Sequence, residues 1–352
     1  MKIKVGIIGL GFVGSIHYKL LSEIEDFEIT AVCDLIEEKL MLASEGVRRY
    51  TKADDLIADS NVECVVVASN NNTHKDMVCK AAKSGKDIIC EKPVAMNMQE
   101  LDEMIRAVEA NRVHFTVHQQ RRYDKDFRSV KKVYDKGLIG EIYTIRSALY
   151  GYNGNMHDWH VYKSEGGGMM YDWGVHLIDQ ILWMINSKLK TVYADIRNII
   201  NEEVDDYFKI ILHFENKVTV EIELGTYFLS DADNWYTRHW FVGGNKGSMY
   251  ADGFEPEGKI VKTTKLLTNV DRAKPLGAEG PTRSFGTPEQ GLLVTEDIPK
   301  INTEYKNYFE NYAKALKGEE EFIVKIPEVK RVLAVMEAAW KSAESNRVID
   351  FE

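Results

Sequence analysis

The N-terminal segment restricts the fold more than any other part of this 352-residue sequence. An apolar run from Ile3 to Ile8 continues into glycines spaced GxGxxG, and a helical pattern follows from Ser15 to Ile24. Glycines in this context permit a tight turn and bring the backbone against a pyrophosphate, which the helix N-terminus attracts. The order of strand, glycines and helix therefore predicts a dinucleotide-binding unit. The loop residues expected to contact the cofactor are Gly9, Gly11, Phe12, Val13 and Gly14.

An acidic residue follows at the position that such a unit requires. A second apolar run, Glu28 to Cys33, ends in Asp34, twenty residues beyond Gly14. In dinucleotide-binding units an acid here accepts hydrogen bonds from the adenine ribose hydroxyls, and its charge would repel the 2′-phosphate of NADP. We therefore predict NAD as the cofactor. NADP stays possible, because Lys39 or Arg48 could receive the phosphate.

Strands and helices continue to alternate through the first third of the chain. Strand patterns at Val62 to Ala68, Asp87 to Cys90 and Val113 to Val117 enclose helical patterns at Lys75 to Lys83 and Met98 to Asn111. This alternation predicts a doubly wound parallel sheet, in which ligands bind beyond the carboxyl ends of the strands. Polar clusters at two of those ends either line the cofactor cleft or form ordinary loops. These clusters contain Ser69, Asn70, Asn71 and His74, and Glu91 and Lys92.

The pattern changes near residue 123. Two neighbouring runs, Phe208 to Phe214 and Val218 to Leu224, alternate apolar and polar residues with period two, which predicts an antiparallel hairpin. We therefore divide the chain into a Rossmann domain at residues 1–122 and an α+β domain at residues 123–352. Residues 262–302 are rich in proline and glycine and show no period; they form either an arm or lid, or a mobile surface insertion.

Three consecutive glycines, residues 166–168, precede Asp172, His176 and Asp179. The spacing of i, i+4 and i+7 places these three side chains on one face of a helix. They form either a polar functional stripe or a set of local pairs around a satisfied core histidine. A zinc site is a further alternative, but the sequence has no second ligand cluster of matching character. We predict that the protein holds no metal.

Charge and cysteine content exclude some functions. The net charge of −10 disfavours nonspecific binding to nucleic acid or to an anionic membrane, and no apolar stretch approaches membrane-spanning length. The four cysteines all lie within the first 90 residues without a CxxC pair, which is typical of buried, reduced thiols. We therefore expect a cytoplasmic protein that acts on a small molecule.

Four segments together resemble the Gfo/Idh/MocA family, which is named after glucose-fructose oxidoreductase, inositol dehydrogenase and a rhizopine catabolism protein. The segments are GLGFVG at 9–14, ASNNNTH at 68–74, EKP at 91–93 and GGGMMYDWGVH at 166–176. The resemblance covers nearly the whole chain. It implies an N-terminal Rossmann domain, a C-terminal α+β domain with a large, mostly antiparallel open sheet, and association into a homodimer or homotetramer through that sheet.

The resemblance also implies roles for individual residues. Lys92, Asp172 and His176 match the family's catalytic set, while Glu91, Asn71 and His74 match positions on the cofactor side. The family often has proline where Asn70 stands, which leaves the shape of that loop in doubt, and its EKP proline is frequently cis.

Two further segments are expected near the substrate. HQQRRYDKDF at 118–127 is similar to the branch that contains scyllo-inositol dehydrogenases, which implies that Arg122 and Tyr123 approach the substrate; packing at the domain crossover is the alternative. The aromatic segment 152–162 includes His157 and Trp159, which form either a substrate wall or ordinary aromatic packing.

The implied activity is reversible hydride transfer between nicotinamide and a ring hydroxyl or ketone of a sugar, sugar derivative or inositol. Two alternatives come from other classes: an NAD-dependent glycosidase of the same fold, and a non-catalytic regulator that senses a sugar or dinucleotide. Joint retention of Lys92, Asp172 and His176 argues against the regulator. The fold does not exclude the glycosidase.

Overall fold

Two sheets, one in each half of the chain, organise the computed structural model. The structure describes residues 2–154, 156–228, 236–266, 276–277, 280–281 and 288–351. The strands of the first half are β1 (Ile3–Ile8), β2 (Phe27–Cys33), β3 (Arg48–Tyr50), β4 (Cys64–Val67), β5 (Asp87–Cys90) and β6 (Phe115–Val117). Its helices are α1 (Phe12–Ser22), α2 (Glu37–Leu40), α3 (Ala53–Ala58), α4 (His74–Lys83) and α5 (Met98–Asn111).

The first sheet is parallel, with strand order β3-β2-β1-β4-β5-β6. This is the predicted doubly wound sheet of a Rossmann domain. Every residue of β4 is buried, because helices cover both faces of the sheet. The carboxyl ends of β1, β4, β5 and β6 therefore meet at one edge, where the glycine loop and both polar clusters lie.

The second half contains longer strands. They are β7 (Ile142–Gly151), β8 (Leu189–Arg197), β9 (Tyr207–Phe214), β10 (Thr219–Gly225), β11 (Tyr236–Gly244), β12 (Gly247–Asp252), β13 (Glu257–Thr263), β14 (Leu276–Gly277), β15 (Gly280–Pro281), β16 (Leu293–Asp297) and β17 (Ile349–Asp350). Nine of them form one sheet in the order β16-β13-β12-β11-β7-β10-β9-β8-β17, and only the β7–β10 pair is parallel. The predicted hairpin is confirmed as β9 and β10, with Ile222 opposite Ile210.

Helices cover one face of the nine-stranded sheet. The helices of this half are α6 (Lys125–Asp135), α7 (Val175–Met184), α8 (Lys306–Leu316) and α9 (Ile326–Ser345). Helix α9 packs on β8, and α7 packs between α9 and β10. Trp240 points to this covered face and is buried, whereas the next residue, Phe241, and its partner Tyr250 are exposed on the other face. Association of copies through this exposed face stays a prediction.

Helix α8 returns to the Rossmann domain. Its Tyr312 hydroxyl lies 3.3 Å from the thiol of Cys64 on β4, and the ring of Phe309 lies 6.2 Å from that of Phe27 on β2. The domain boundary at residue 122 stays a prediction, but α8, which follows that boundary in sequence, packs against the first sheet. Among the described residues, no helix combines the length and apolarity needed to cross a membrane.

The Pro- and Gly-rich stretch at residues 262–302 contains a strand that its sequence does not predict. It includes β16, which pairs with β13 and forms an edge of the large sheet. All five β16 residues are exposed, so the strand has no buried face and leaves no period-two pattern to recognise. Residues 267–275, 278–279 and 282–287 of this stretch lie outside the described residues.

Candidate functional site

The glycine loop after β1 contains two packing glycines and one that faces open space. A Cβ atom on Gly9 would collide with the Ala68 carbonyl, and one on Gly14 would collide with the Gly9 carbonyl. A Cβ on Gly11 would meet no atom within 4 Å. The first helical bond of α1 runs from Ser15 N to Gly11 O, so the preceding N–H groups point out of the helix end. This combination of free donors and open space fits a dinucleotide pyrophosphate.

Asp34 lies beside this loop. Its carboxylate accepts from the Leu10 N–H at 2.8 Å and from the Ile36 N–H at 2.9 Å, and these bonds orient it at the end of β2. The Lys39 ammonium lies 3.9 Å away, while Arg48 pairs with Asp59 instead. The predicted ribose-binding acid therefore occupies the position that the Rossmann fold gives it.

Lys92 and Asp172 meet across the two domains. The Lys92 ammonium donates to the Asp172 carboxylate at 2.8 Å and to its carbonyl at 3.0 Å. Only 13% of the Lys92 side chain and 10% of the Asp172 side chain is exposed. The Lys92–Pro93 peptide bond is cis, as the family resemblance implies. Two of the three predicted catalytic residues are thus in direct contact, although 80 positions separate them in the sequence.

Glu91 is the centre of a buried hydrogen-bonded cluster. Its Oε1 lies 2.6 Å from Nε2 of His17 and 2.7 Å from Nδ1 of His118, and its Oε2 accepts from the Lys92 N–H. Burial acts to raise the pKa of Glu91, but the two imidazoles outweigh it and hold that pKa well below its ordinary value. A carboxylate at Glu91 therefore fixes the backbone from which Lys92 projects.

This cluster is also the only group of three histidine, cysteine or acidic residues in the described part of the chain whose ligand atoms lie close enough to share a metal ion. The separations of 2.6 and 2.7 Å are hydrogen-bond distances, shorter than the spacing of two ligands around one ion. Its contacts are those of a carboxylate that accepts three N–H groups.

His176, the third predicted catalytic residue, is 3% exposed and lies on α7, one turn after Asp172. Its Nδ1 lies 3.0 Å from Oε1 of Gln119. Burial, followed by the charges of Lys92 and Arg121, lowers the pKa of His176 well below its ordinary value. The imidazole is therefore neutral at neutral pH and can accept a proton.

The second glycine segment packs against protein. A Cβ on Gly166 would press on Met96 and Asn71, one on Gly167 would collide with the His160 carbonyl, and one on Gly168 would collide with the Asp205 carboxylate. Close approach of other protein groups therefore accounts for all three glycines. Residues 170–174 then form a π-helical turn, which joins α7 at Val175, so Asp172 lies in that turn and not in the α-helix.

Two predicted contact residues have structural positions instead. His74, expected on the cofactor side, is fully buried, and its ring nitrogens lie 2.9 Å from the carbonyls of Pro93 and Ser69. Arg122, expected near the substrate, is 1% exposed and forms a two-bond ion pair with Asp179. The polar atoms of both side chains are bonded inside the protein, which does not support the predicted ligand contacts.

The loop after β4 connects the domains. The Asn71 side chain donates to the Gly166 carbonyl at 2.9 Å, and the Asn70 side chain donates to the Glu165 carboxylate at 3.2 Å. The Ser69 hydroxyl lies 2.7 Å from that of Thr73. Cofactor contacts from this loop stay a prediction. The side-chain nitrogens of Asn70 and Asn71 already donate to residues 165 and 166, so other groups of the loop would make those contacts.

Arg121, which the sequence analysis did not select, is closer to the site than Arg122. Its guanidinium lies 3.9 Å from the centre of the Trp173 ring, and its charge lowers the pKa of His176. The Arg128 guanidinium lies 4.8 Å from the centre of the Tyr123 ring. This contact gives no support to the predicted contact of Tyr123 with substrate. The doubled arginine was the available signal, but sequence alone does not decide which arginine faces the site.

The aromatic segment before the glycines is partly as expected. The Trp159 ring stacks on that of His160 with centroids 3.7 Å apart, and both are half-buried, whereas His157 is exposed. Burial lowers the pKa of His160, and the charge of Asp172 acts in the opposite direction, which puts His160 within electrostatic reach of the site. Substrate contact by His157 and Trp159 stays a prediction.

Comparison with known proteins identifies the family. Residues 3–119 match the model of the oxidoreductase family with an NAD-binding Rossmann fold, and residues 127–250 match the GFO/IDH/MocA C-terminal domain. The chain belongs to the Gfo/Idh/MocA oxidoreductase family. It is thus an oxidoreductase with an NAD-binding domain, and the glycine loop and Asp34 are consistent with that cofactor.

Relatives in the Gfo/Idh/MocA family cover the whole chain. The structure of an NAD-binding protein from Listeria innocua is 33% identical, covers 99% of each chain and superimposes with a TM-score of 0.91. The myo-inositol 2-dehydrogenase of Thermotoga maritima is 27% identical and covers 99% of this chain and 98% of its own. The scyllo-inositol 2-dehydrogenase (NADP(+)) of Bacillus subtilis is 24% identical and covers 99% and 96%.

Proposed function

We propose that the protein transfers a hydride between NAD and a carbon that carries a ring hydroxyl or ketone in a sugar, sugar derivative or inositol. The observation that supports this proposal is the ion pair of Lys92 and Asp172, with the neutral imidazole of His176 near enough for the Lys92 charge to lower its pKa, at the edge of the Rossmann sheet where dinucleotides bind. Bound NAD would supply the nicotinamide ring that accepts the hydride in the oxidative direction.

The roles of the three side chains follow from their chemistry. His176 accepts the proton of the substrate hydroxyl, because its imidazole is neutral. The Lys92 ammonium stabilises the negative charge that develops on the substrate oxygen. Asp172 accepts from the ammonium at 2.8 Å, so it positions Lys92 for this role.

Two of the named relatives act on inositols, which supports a cyclitol or sugar as the substrate class. The stacked Trp159 and His160 rings and the mostly buried Arg121 guanidinium add aromatic and donor groups near the three side chains. Aromatic faces suit the apolar faces of sugar rings, and a guanidinium donates to hydroxyls or to a carboxylate.

The test is a substrate screen with purified protein. Inositols, aldoses and glycosides are incubated with NAD and, separately, with NADP, and NADH or NADPH is followed by its absorbance. We expect turnover with at least one inositol or sugar and none for Lys92→Met with that substrate. Release of free sugar from a glycoside without net NADH would identify the glycosidase alternative. NADH binding without turnover of any compound would contradict the proposal.

A further inference from the structure

One contact of His176 determines which of its nitrogens can take a proton. Nδ1 lies 3.0 Å from Oε1 of Gln119, and the two residues are 3% and 1% exposed. An amide oxygen only accepts hydrogen bonds. In a neutral imidazole the single N–H is therefore at Nδ1, and the lone pair is at Nε2.

The other nitrogen of His176 is available to a ligand. In the described part of the chain, Nε2 has no hydrogen-bond partner, and it is not among the enclosed unpartnered atoms. Nδ1 of His17 and Nε2 of His118 do belong to that enclosed group. Of these three imidazoles, only that of His176 has an unpartnered nitrogen outside the packed interior.

We propose that Gln119 is a positioning residue that fixes the tautomer of His176, so that Nε2 is the atom that accepts the substrate hydroxyl proton. The inference rests on the proposed function for the identity of that proton, and it deepens it by assigning the accepting atom. Gln119 acts through His176, which it contacts at Nδ1. When Nε2 takes the proton, the imidazolium keeps its Nδ1–H bond to the amide oxygen.

His118, the residue before Gln119, contacts the Rossmann side of the site through Glu91. His118 donates to Glu91, which in turn holds the backbone of Lys92, whereas Gln119 contacts His176. Consecutive side chains after β6 thus reach the Rossmann side and the α7 side respectively. Both residues of this dipeptide are buried, and a backbone shift there would move both groups.

The neutral charge of the Gln119 side chain matters as much as its hydrogen-bond geometry. Lys92, Arg121 and His118 all act to lower the pKa of His176 beyond the effect of burial, and Glu91 acts to raise it. A neutral amide adds a hydrogen-bond acceptor without adding a negative charge. A carboxylate at position 119 would accept the same N–H and would raise the pKa of the imidazole.

The tautomer is measured directly by NMR of ¹⁵N-histidine-labelled protein with NAD bound, and His176 is assigned by its loss in His176→Asn. We expect wild type to show a protonated Nδ1 and an unprotonated Nε2 at His176. Gln119→Leu should give a mixture of tautomers, while Gln119→Glu should keep the wild-type tautomer and raise the imidazole pKa. A protonated Nε2 in neutral wild type, or an unchanged tautomer in Gln119→Leu, would overturn the inference.

Kinetics give the second measurement once a substrate is found. Gln119→Leu should lower kcat by about 10- to 100-fold, with NADH affinity retained. Gln119→Glu should move the acidic limb of kcat/KM upward by roughly one to two pH units. Gln99→Leu, the same replacement at an exposed site on α5, should match wild type. A Gln119→Glu profile identical to that of wild type contradicts the assignment.

The two proposals fail separately. The NMR measurement needs no substrate, so a wrong tautomer ends the inference whatever the activity. A screen without turnover ends the proposed function even where the NMR result is as expected. If Gln119→Leu does not fold, wild type and Gln119→Glu still give the tautomer and the pKa shift.

Discussion

The two glycine-rich segments look alike in the sequence but differ in what surrounds them. Both precede a helical segment, and at both a backbone N–H donates to a carboxylate that is distant in sequence. Asp34 accepts from the Leu10 N–H, and Asp205 accepts from the Met170 N–H at 2.7 Å. In the first segment Gly11 faces open space, whereas in the second every added Cβ would meet protein. One glycine of the first segment therefore leaves open space, whereas all three glycines of the second segment allow close packing.

This difference suggests separate roles for the two segments, cofactor binding for the first and placement of Asp172 and His176 for the second. The first precedes α1, whose free N–H groups and neighbour Asp34 fit a cofactor. The second leads into the turn and helix that carry Asp172 and His176. Binding of NADH should depend on the first segment, and turnover should depend on both.

The largest expected effect comes from the helix that follows the second segment. His176→Asn should lower turnover by about 100- to 10,000-fold, the range for loss of a positioned acid or base. NADH binding, measured by fluorescence titration, should be unchanged, because the glycine loop and Asp34 remain. A fall in NADH affinity of the same size as the loss in turnover would erase the division between the segments.

A crossed pair of alanine variants tests the comparison itself. Gly11 has a φ of −68°, which alanine adopts without strain, so Gly11→Ala should keep its thermal stability and weaken NADH binding by about tenfold or more, as its methyl enters the open space. Gly167→Ala should keep NADH binding and lower the free energy of unfolding by about 1 to 3 kcal/mol, because its Cβ meets the His160 carbonyl.

Calorimetry without and with NADH separates the two effects. If Gly11→Ala lowered the melting temperature and Gly167→Ala did not, the assignment of ligand space and packing would be reversed. Gly46→Ala is a poor control, since its φ of +88° is strained for alanine. Gln99→Leu serves instead, because it changes neither segment.

A smaller effect is expected at the carboxylate of the first segment. Asp34→Asn keeps an acceptor for the Leu10 N–H but removes the charge that would repel a 2′-phosphate. The ratio of kcat/KM for NAD over NADP should fall by roughly 10- to 100-fold, about 1.4 to 2.7 kcal/mol of discrimination. The B. subtilis relative is named for NADP(+), whereas the matching family model is described as NAD-binding. An unchanged ratio would mean that Asp34 does not select the cofactor.

The first segment was readable from sequence because its parts are local. The apolar strand, the glycines, the helix and Asp34 all lie within residues 3–34, so their spacing reports their geometry. The second segment was readable only as a polar stripe. Its packing partners, Asn71, His160 and Asp205, come from separate parts of the chain, and no spacing links them to the glycines.

Long-range contacts also explain the misplaced residues. Arg121 and Arg122 are adjacent in a 3₁₀ turn at Gln120–Tyr123, and the direction of that turn decides which guanidinium is buried against Asp179. His74 carries the right residue type for a ligand contact, but the carbonyls that enclose it become neighbours only when the sheet forms. Gln119 lies in the segment 118–127, but the segment gave it no role, because its partner is a histidine 57 positions away.

The smallest predicted effect concerns the carboxylate of the second segment and its dependence on pH. Burial raises the pKa of Asp205 to about 7, so the folded protein holds this proton more tightly than the unfolded chain does. The stability that protonation contributes is present in acid, declines as the pH rises above the unfolded pKa of about 4, and is lost above about 7.

Asp205→Asn keeps an acceptor for the Met170 N–H without the charge. The variant should therefore match wild type in melting temperature near pH 4 and exceed it at about pH 8, by a few degrees. Asp34→Asn is the matched change in the first segment, and a similar gain there at about pH 8 would show a general charge effect and not the burial of Asp205.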